Sequence, residues 1–332
     1  MREFNITMLG ARYVGKTSLL TSMCYEYEEE IAKTNIQLVP ETRTASILEK
    51  SLIELKSLND DPDNEGVSPS ERVISESQDV ESFTFQVGQK GKKPEIKLNF
   101  WDYPGSWNTD FKGEAIDRYV KEKITESVAI VVAIDTPALM EANGKWHQSQ
   151  NRPSGIINRF KACYVDLKSP RLVILAPIKC ESYMQDEKSR QELINKIKQQ
   201  YKGLFDLFQS QQLVDKVAVV ITPVQTVGNI FFSYIHIIND IEKVDKITPI
   251  FKFKKQNPDA QYSPKDNEQP LKYLLRFLLT LHLKNRLWGW GYVRDWFKWD
   301  EHLKQAIRDF AKDCKNSDGF EVIQGKNLLD IN

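Results

Sequence analysis

The chain has 332 residues, of which 41% are hydrophobic and 28% charged, with 46 basic residues against 46 acidic ones. That balance describes a globular protein with a substantial core, and it removes the case for nucleic acid as a general partner. No apolar run reaches the length of a membrane span, and Met1-Arg2-Glu3 begins no signal peptide. The cysteines Cys24, Cys163, Cys180 and Cys314 are scattered, with no metal-ligand spacing, and read as reduced thiols of a cytoplasmic protein.

In chain order, the apolar run 4–9 reads as a strand and 18–23 as the start of a helix. Residues 45–58 have the spacing of an amphipathic helix. The stretch 59–79 is acidic, contains Ser and Pro, and is poor in apolar residues, so it reads as an insertion. Residues 83–87 alternate and, across a Gly/Lys/Pro turn, are expected to pair as a hairpin with 96–101. Short β-branched runs at 128–134, 172–176 and 217–221 read as buried parallel strands. Helical stretches at 112–123, 156–167 and 188–208 separate them. After Thr222 come the apolar segment 230–241, a Pro/Asn/Asp-rich loop, and an apolar helix at 271–283. An aromatic tail with Trp288, Trp290, Trp296, Phe297 and Trp299 precedes a helix at 300–314. The expected fold class is α/β: a mostly parallel, doubly wound sheet with one antiparallel edge strand. Residues 1–285 are expected to form the nucleotide-binding domain and 286–332 an aromatic-rich helical extension.

Between the first strand and its helix stands Gly10-Ala11-Arg12-Tyr13-Val14-Gly15-Lys16-Thr17, followed by Ser18. It fits G-x-x-x-x-G-K-[ST] at every fixed position, in the strand–loop–helix context that a phosphate-binding P-loop needs. Glycines let backbone N–H groups reach phosphate oxygens, and the helix N-terminus lies under the same anion. Lys16 is expected on the β- and γ-phosphates and the Thr17 hydroxyl on Mg²⁺. Replacing Lys16 with Ala is expected to abolish nucleotide binding and leave the fold intact.

Asp102-Tyr103-Pro104-Gly105 ends the next strand with D-x-x-G. Asp102 suits a hydrogen bond from Mg²⁺-bound water, and the Gly105 amide suits a γ-phosphate contact. Beyond the strand 172–176, Ile178-Lys179-Cys180-Glu181 resembles the base-reading N-K-x-D motif of the translation-factor-related (TRAFAC) class of P-loop GTPases. The resemblance implies that Lys179 lies along a guanine plane and that Glu181 stands where an aspartate pairs with the guanine N1–H and N2–H₂. Ile178 departs from the asparagine of that pattern, and Glu181 is one methylene longer. Thr222 stands where the class places a loop contacting the base oxygen. Phe100-Trp101-Asp102-Tyr103-Pro104-Gly105, Ile134-Asp135-Thr136-Pro137, the segment 222–228 and Gln269-Pro270-Leu271 are similar to one bacterial branch, the double-GTPase families associated with conflict and defence systems. That likeness implies a G-domain fold, GTP and GDP as ligands, Mg²⁺, and a protein partner such as a second GTPase, effector or activator.

Ser106 and Trp107 follow D-x-x-G, where many GTPases carry a glutamine that orients water, so slow intrinsic hydrolysis is expected. Arg12 has two readings: a transition-state charge contact made in cis, or a solvated loop arginine. Thr42 is the expected switch threonine on Mg²⁺, with a helix cap as its alternative. The aromatic tail either packs on the sheet domain or offers a docking surface. An ATPase of the same fold, and a nucleotide-bound scaffold that hardly hydrolyses, remain as alternatives.

Overall fold

A computed structural model describes all residues except 12–13, 32, 59–79, 106, 108–112, 241–245, 256, 258, 285–298 and 332, and the side chains of 28–31, 238–240 and 246–248. Its strands are β1 (Arg2–Leu9), β2 (Ile36–Pro40), β3 (Glu81–Gln89), β4 (Ile96–Asp102), β5 (Ala129–Asp135), β6 (Arg171–Ile178), β7 (Val217–Ile221), β8 (Ile230–Asp240), β9 (Lys246–Lys255) and β10 (Glu321–Gln324). Its helices are α1 (Lys16–Ile31), α2 (Thr42–Ser57), α3 (Glu114–Glu126), α4 (Thr136–Met140), α5 (His147–Gln150), α6 (Pro153–Tyr164), α7 (Glu187–Gln200), α8 (Lys202–Phe208), α9 (Gln269–Leu283) and α10 (Glu301–Ala311).

Eight strands form one sheet in the order β10-β7-β6-β5-β1-β4-β3-β2. The centre, β4-β1-β5-β6-β7, is parallel throughout. All of β5 and β6 is buried, which is why their sequences read as unbroken apolar runs. Alternate residues serve opposite faces. Val131, Ala133, Ile174 and Val220 join α1, α9 and α10 on one side. Val132, Ile134, Val173 and Val219 join α3, α6, α7 and α8 on the other. The sheet is therefore doubly wound, as expected, and its P-loop edge is the C-terminal edge of the parallel strands.

Several boundaries differ from the sequence expectation. Strand β3 pairs antiparallel with β4 but is not the edge, because β2 pairs outside it. The opposite edge is also antiparallel, formed by β10 on β7. The stretch 188–208 is two helices rather than one. Tyr201 leaves helical geometry between them (φ −102°, ψ 16°), and the turn lets Leu204, Phe205 and Phe208 reach the same core as Leu193 and Ile197. The segment at 230–241 is the first arm of a separate hairpin, β8–β9, packed on Leu55, Leu58 and Trp146.

The tail expected as an extension is built into this body. Phe310 of α10 meets the Tyr27 ring of α1 edge-on at 5.6 Å, and Trp299 stacks flat on His282 at 4.5 Å. The Tyr273 hydroxyl donates to the Lys315 carbonyl (2.7 Å), and Leu328, Leu329 and Ile331 join the α9 core. The other aromatic tail residues, Trp288, Trp290, Trp296 and Phe297, lie outside the described residues. No helix among the described residues is long and apolar enough to cross a membrane.

Candidate functional site

Beyond Leu9 the chain leaves the sheet, turns through the glycine-bounded loop and enters α1 at Lys16. Gly15 adopts φ +108°, a backbone region that L side chains rarely occupy, so this corner requires glycine. Ala11 and Val14 of the loop are buried, and Ser18 sits in the first turn of α1, its carbonyl accepting from the Ser22 hydroxyl (2.8 Å). Arg12 and Tyr13 lie outside the described residues.

Parallel register sets Met8 of β1 beside Asp102 of β4, which delivers D-x-x-G to the mouth of the P-loop. The Thr17 hydroxyl donates to Asp102 Oδ2 at 3.1 Å, and the Lys16 ammonium lies 3.4 Å from Oδ1. Lys16 Nζ also donates to the Gly10 and Ala11 carbonyls at 3.4 and 3.5 Å. Burial pushes the Asp102 carboxyl above its ordinary value, opposed by the Lys16 charge and the Thr17 hydrogen bond. Three residues that the sequence placed on phosphate and Mg²⁺ are thus brought together, 85 positions apart in the chain. Gly105 is buried just beyond, where the Trp107 amide donates to the Pro104 carbonyl (2.8 Å) and Arg159 Nη2 holds the Trp107 carbonyl.

The donor set fits Mg²⁺. Thr17 and Asp102 offer hard oxygens, and Asp102 Oδ1 is buried without a well-formed hydrogen bond. Among the described residues there is no cluster of three or more His, Cys, Asp or Glu side chains that would form a dedicated metal cage. Two protein oxygens completed by phosphate and water are what a nucleotide-borne Mg²⁺ uses.

Thr42 stands apart from this cluster. It is the exposed first residue of α2, lining an open groove of about 530 Å³ with Arg43, Ser82 and Thr84. It follows β2, and β3 separates β2 from the strand that carries Asp102. Glu41 holds the N-cap position of α2, with no side-chain cap bond. The next turn is anchored by the Thr84 amide donating to the Thr44 hydroxyl (2.8 Å).

The second half of the site is the C-terminal end of β6. Lys179 has left-handed backbone geometry (φ +58°), and its ammonium lies 2.6 Å from Asp135 Oδ2 at the end of β5. Ile178 is fully buried, and its Cγ2 lies 3.5 Å from where a Cβ on Gly15 would stand, so it packs against the P-loop corner. Glu181 is also buried, and its Oε1 accepts from the Val227 and Gly228 amides at 3.0 and 3.3 Å. Burial raises the Glu181 carboxyl, opposed by those backbone hydrogen bonds. Thr222 follows β7; its amide donates to the Leu175 carbonyl (2.9 Å) and its hydroxyl is buried. The sequence offered Asp135 only as part of a motif and gave no sign of the Glu181 contacts with the 227–228 backbone.

No protein-family profile matches the chain, and no curated protein matches it. Among solved structures it is similar to the S. cerevisiae Ski7 GTPase-like domain bound to GTP, at 15% identity over 67% of this chain and 43% of that one, with TM-score 0.41. It is also similar to sup35 complexed with GDP (12% identity, 68% of this chain, 37% of that one, TM-score 0.31). A third is the signal recognition particle receptor SRb-GTP/SRX complex from Chaetomium thermophilum (13% identity, 68% of this chain, 91% of that one, TM-score 0.33). The match spans less than half the length of the first two of these proteins.

Proposed function

We propose that this chain is a Mg²⁺-dependent P-loop GTPase that cycles between GTP and GDP and signals through a protein partner. The convergence of Lys16, Thr17 and Asp102 carries the reading. On nucleotide binding, Lys16 exchanges the loop carbonyls for phosphate oxygens. The Thr17 hydroxyl would take Mg²⁺ directly and Asp102 through a bound water, and the ion would neutralise charge on the transferred phosphoryl group. The Gly105 amide would contact the γ-phosphate. Lys179, with Glu181 beside it at the end of β6, supplies the base end.

Ser106 and Trp107 stand where many GTPases carry the water-orienting glutamine, and Arg159 Nη2 donates to the Trp107 carbonyl. Slow turnover follows, raised when a partner completes the site. That partner is proposed as a second GTPase or an effector, and the setting as a bacterial conflict or defence system; both rest on sequence resemblance. One observation favours a second reading, an NTPase with little base selection: Glu181 Oε1 already accepts two backbone amides.

Fluorescence titration with labelled GDP and ADP, each with and without Mg²⁺, tests both. Strong, Mg²⁺-sensitive preference for GDP supports the GTPase, equal binding supports the general NTPase, and binding of neither overturns the nucleotide assignment.

A further inference from the structure

Resting on the nucleotide reading above, we infer that Asp135 and Asn151 are positioning residues that hold Lys179 in place for the nucleoside half of the ligand. Lys179 sits in a left-handed conformation that is costly for a side-chain-bearing residue and persists only where its surroundings over-determine it. Its ammonium is fixed at 2.6 Å by Asp135 Oδ2. Asp135 is fixed in turn, since its Oδ1 accepts from the Ala138 amide at 2.9 Å as the N-cap of α4.

Asn151 fixes the Asp135 backbone. On one side β5 continues beside β6 through Asp135↔Ile178, but on the other its pairing with β1 stops at Leu9↔Val132. The Asp135 N–H and C=O on that side would lack a strand neighbour. The Asn151 amide takes that place: its Oδ1 accepts from the Asp135 N–H at 2.7 Å and its Nδ2 donates to the Asp135 carbonyl at 2.9 Å. Asn151 Nδ2 also meets His147 Nδ1 at 3.0 Å, and both side chains are buried. A primary amide is the one side-chain group that reproduces both halves of a strand's hydrogen bonding in a single plane.

The chain of contacts therefore runs from Asn151 through Asp135 to Lys179. It pins a flexible four-carbon side chain before any ligand arrives, removing rotamer freedom that binding would otherwise have to remove. Immobilising one such side chain is worth about ten-fold in affinity.

The test uses the full chain and three proteins: wild type, Asp135→Asn and Asn151→Ala. Asp135→Asn removes the charge and keeps a good helix cap. Two probes separate the halves of the site: labelled GDP, which needs the base end, and inorganic tripolyphosphate with Mg²⁺, which needs only the P-loop. The expected result is GDP binding about ten-fold weaker in both variants with tripolyphosphate binding unchanged. A second readout needs no nucleotide. Acylation of Lys179 by an amine-reactive ester, mapped by mass spectrometry on the free protein, should be several-fold faster in both variants than in wild type. Unchanged acylation, unchanged GDP affinity, or equal loss of GDP and tripolyphosphate overturns the positioning role. If wild type binds neither probe, the nucleotide reading fails, and acylation still decides whether Asp135 and Asn151 pin Lys179.

Discussion

Removing the Lys16 ammonium should destabilise the nucleotide-free protein as well as its ligand complex. Lys16 and Asp102 are 7% and 2% exposed and 3.4 Å apart, and among the described residues the Thr17 hydroxyl is the other donor to the Asp102 side chain. In Lys16→Ala the carboxylate has two ways to remain inside. It stays ionised without its cation, and breaking a buried pair in this way costs about 3–5 kcal/mol. Or it takes up a proton, which at pH 7 costs about 1.4 kcal/mol for each unit above the ordinary value of 3.8, roughly 4 kcal/mol. The cheaper route wins, so the loss at pH 7 is about 3–4 kcal/mol. The sign is fixed by linkage. Without Lys16 the folded carboxyl rises further above its unfolded value, so the folded state holds a proton the unfolded chain has released. Stability is then lost as pH rises above about 4 and regained on acidification. At pH 5 the protonation route costs only about 1.6 kcal/mol. Urea unfolding of wild type, Lys16→Ala, Asp102→Asn and the double variant, at pH 5 and 7 without nucleotide, measures this. Lys16→Ala should show its deficit chiefly at pH 7, and the double variant should recover most of it. A Lys16→Ala protein within 1 kcal/mol of wild type at pH 7, or a deficit equal at both pH values, refutes the reasoning. The expectation is thus that Lys16→Ala keeps its fold intact but at lower stability.

Three further outcomes follow from particular contacts. Phe310→Ala opens a cavity against Tyr27 and should lower stability by about 3–5 kcal/mol in a single urea transition; an unchanged main transition would mean that α10 is not part of the same cooperative body. Gly228 adopts φ +77°, and a Cβ there would stand 1.7 Å from the Ser263 carbonyl oxygen. Gly228→Ala must therefore displace backbone, and amide exchange at 227–228 should accelerate as the Glu181 contacts loosen; unaltered exchange contradicts it. His147 is buried, which holds its imidazole down at about 4, with Lys196 adding to the effect. The unfolded chain protonates near 6.5 and the folded state does not, so stability falls as pH drops from about 6.5 to 4, by up to about 3 kcal/mol. Thermal unfolding of His147→Gln should be flatter over that range than wild type, and a parallel pH profile counts against the assignment.

The parts of the fold that were legible in sequence are those whose signal is local. Strands β5, β6 and β7 are buried on both faces, so each carries an uninterrupted apolar run, and the P-loop is contiguous. Strands β2, β9 and β10 were missed because their stability comes from distant partners. Strand β2 has five residues and ends at Pro40, β9 contains Pro249 and several lysines, and β10 is half-buried and exists through its pairing with β7. The same division holds in the site. Lys16, Thr17 and Asp102 were named from motif order, whereas the Asn151 clamp depends on where β1 stops, and the Glu181 contacts depend on the chain returning 46 residues later.

The two departures from the N-K-x-D pattern make physical sense together. Ile178 contributes no hydrogen bond from its side chain; it packs against the P-loop corner at Gly15, and its backbone bridges to Val224 beyond β7. The hydrogen bonding is taken up three residues later by Glu181. Its extra methylene extends the carboxylate toward the 227–228 backbone, and its burial is compensated by the amides it accepts there. A carboxylate has about four acceptor sites, so two amides on Oε1 do not exhaust it. On the proposed GTPase reading, recognition of guanine N1–H and N2–H₂ by this side chain would fall to Oε2. Adenine, which presents an acceptor at N1, gains nothing from a carboxylate oxygen there. The contest between the proposed guanine-selective switch and a general NTPase thus reduces to whether the anchored Glu181 turns that one oxygen toward a base that, on the same proposal, Lys179 would cover.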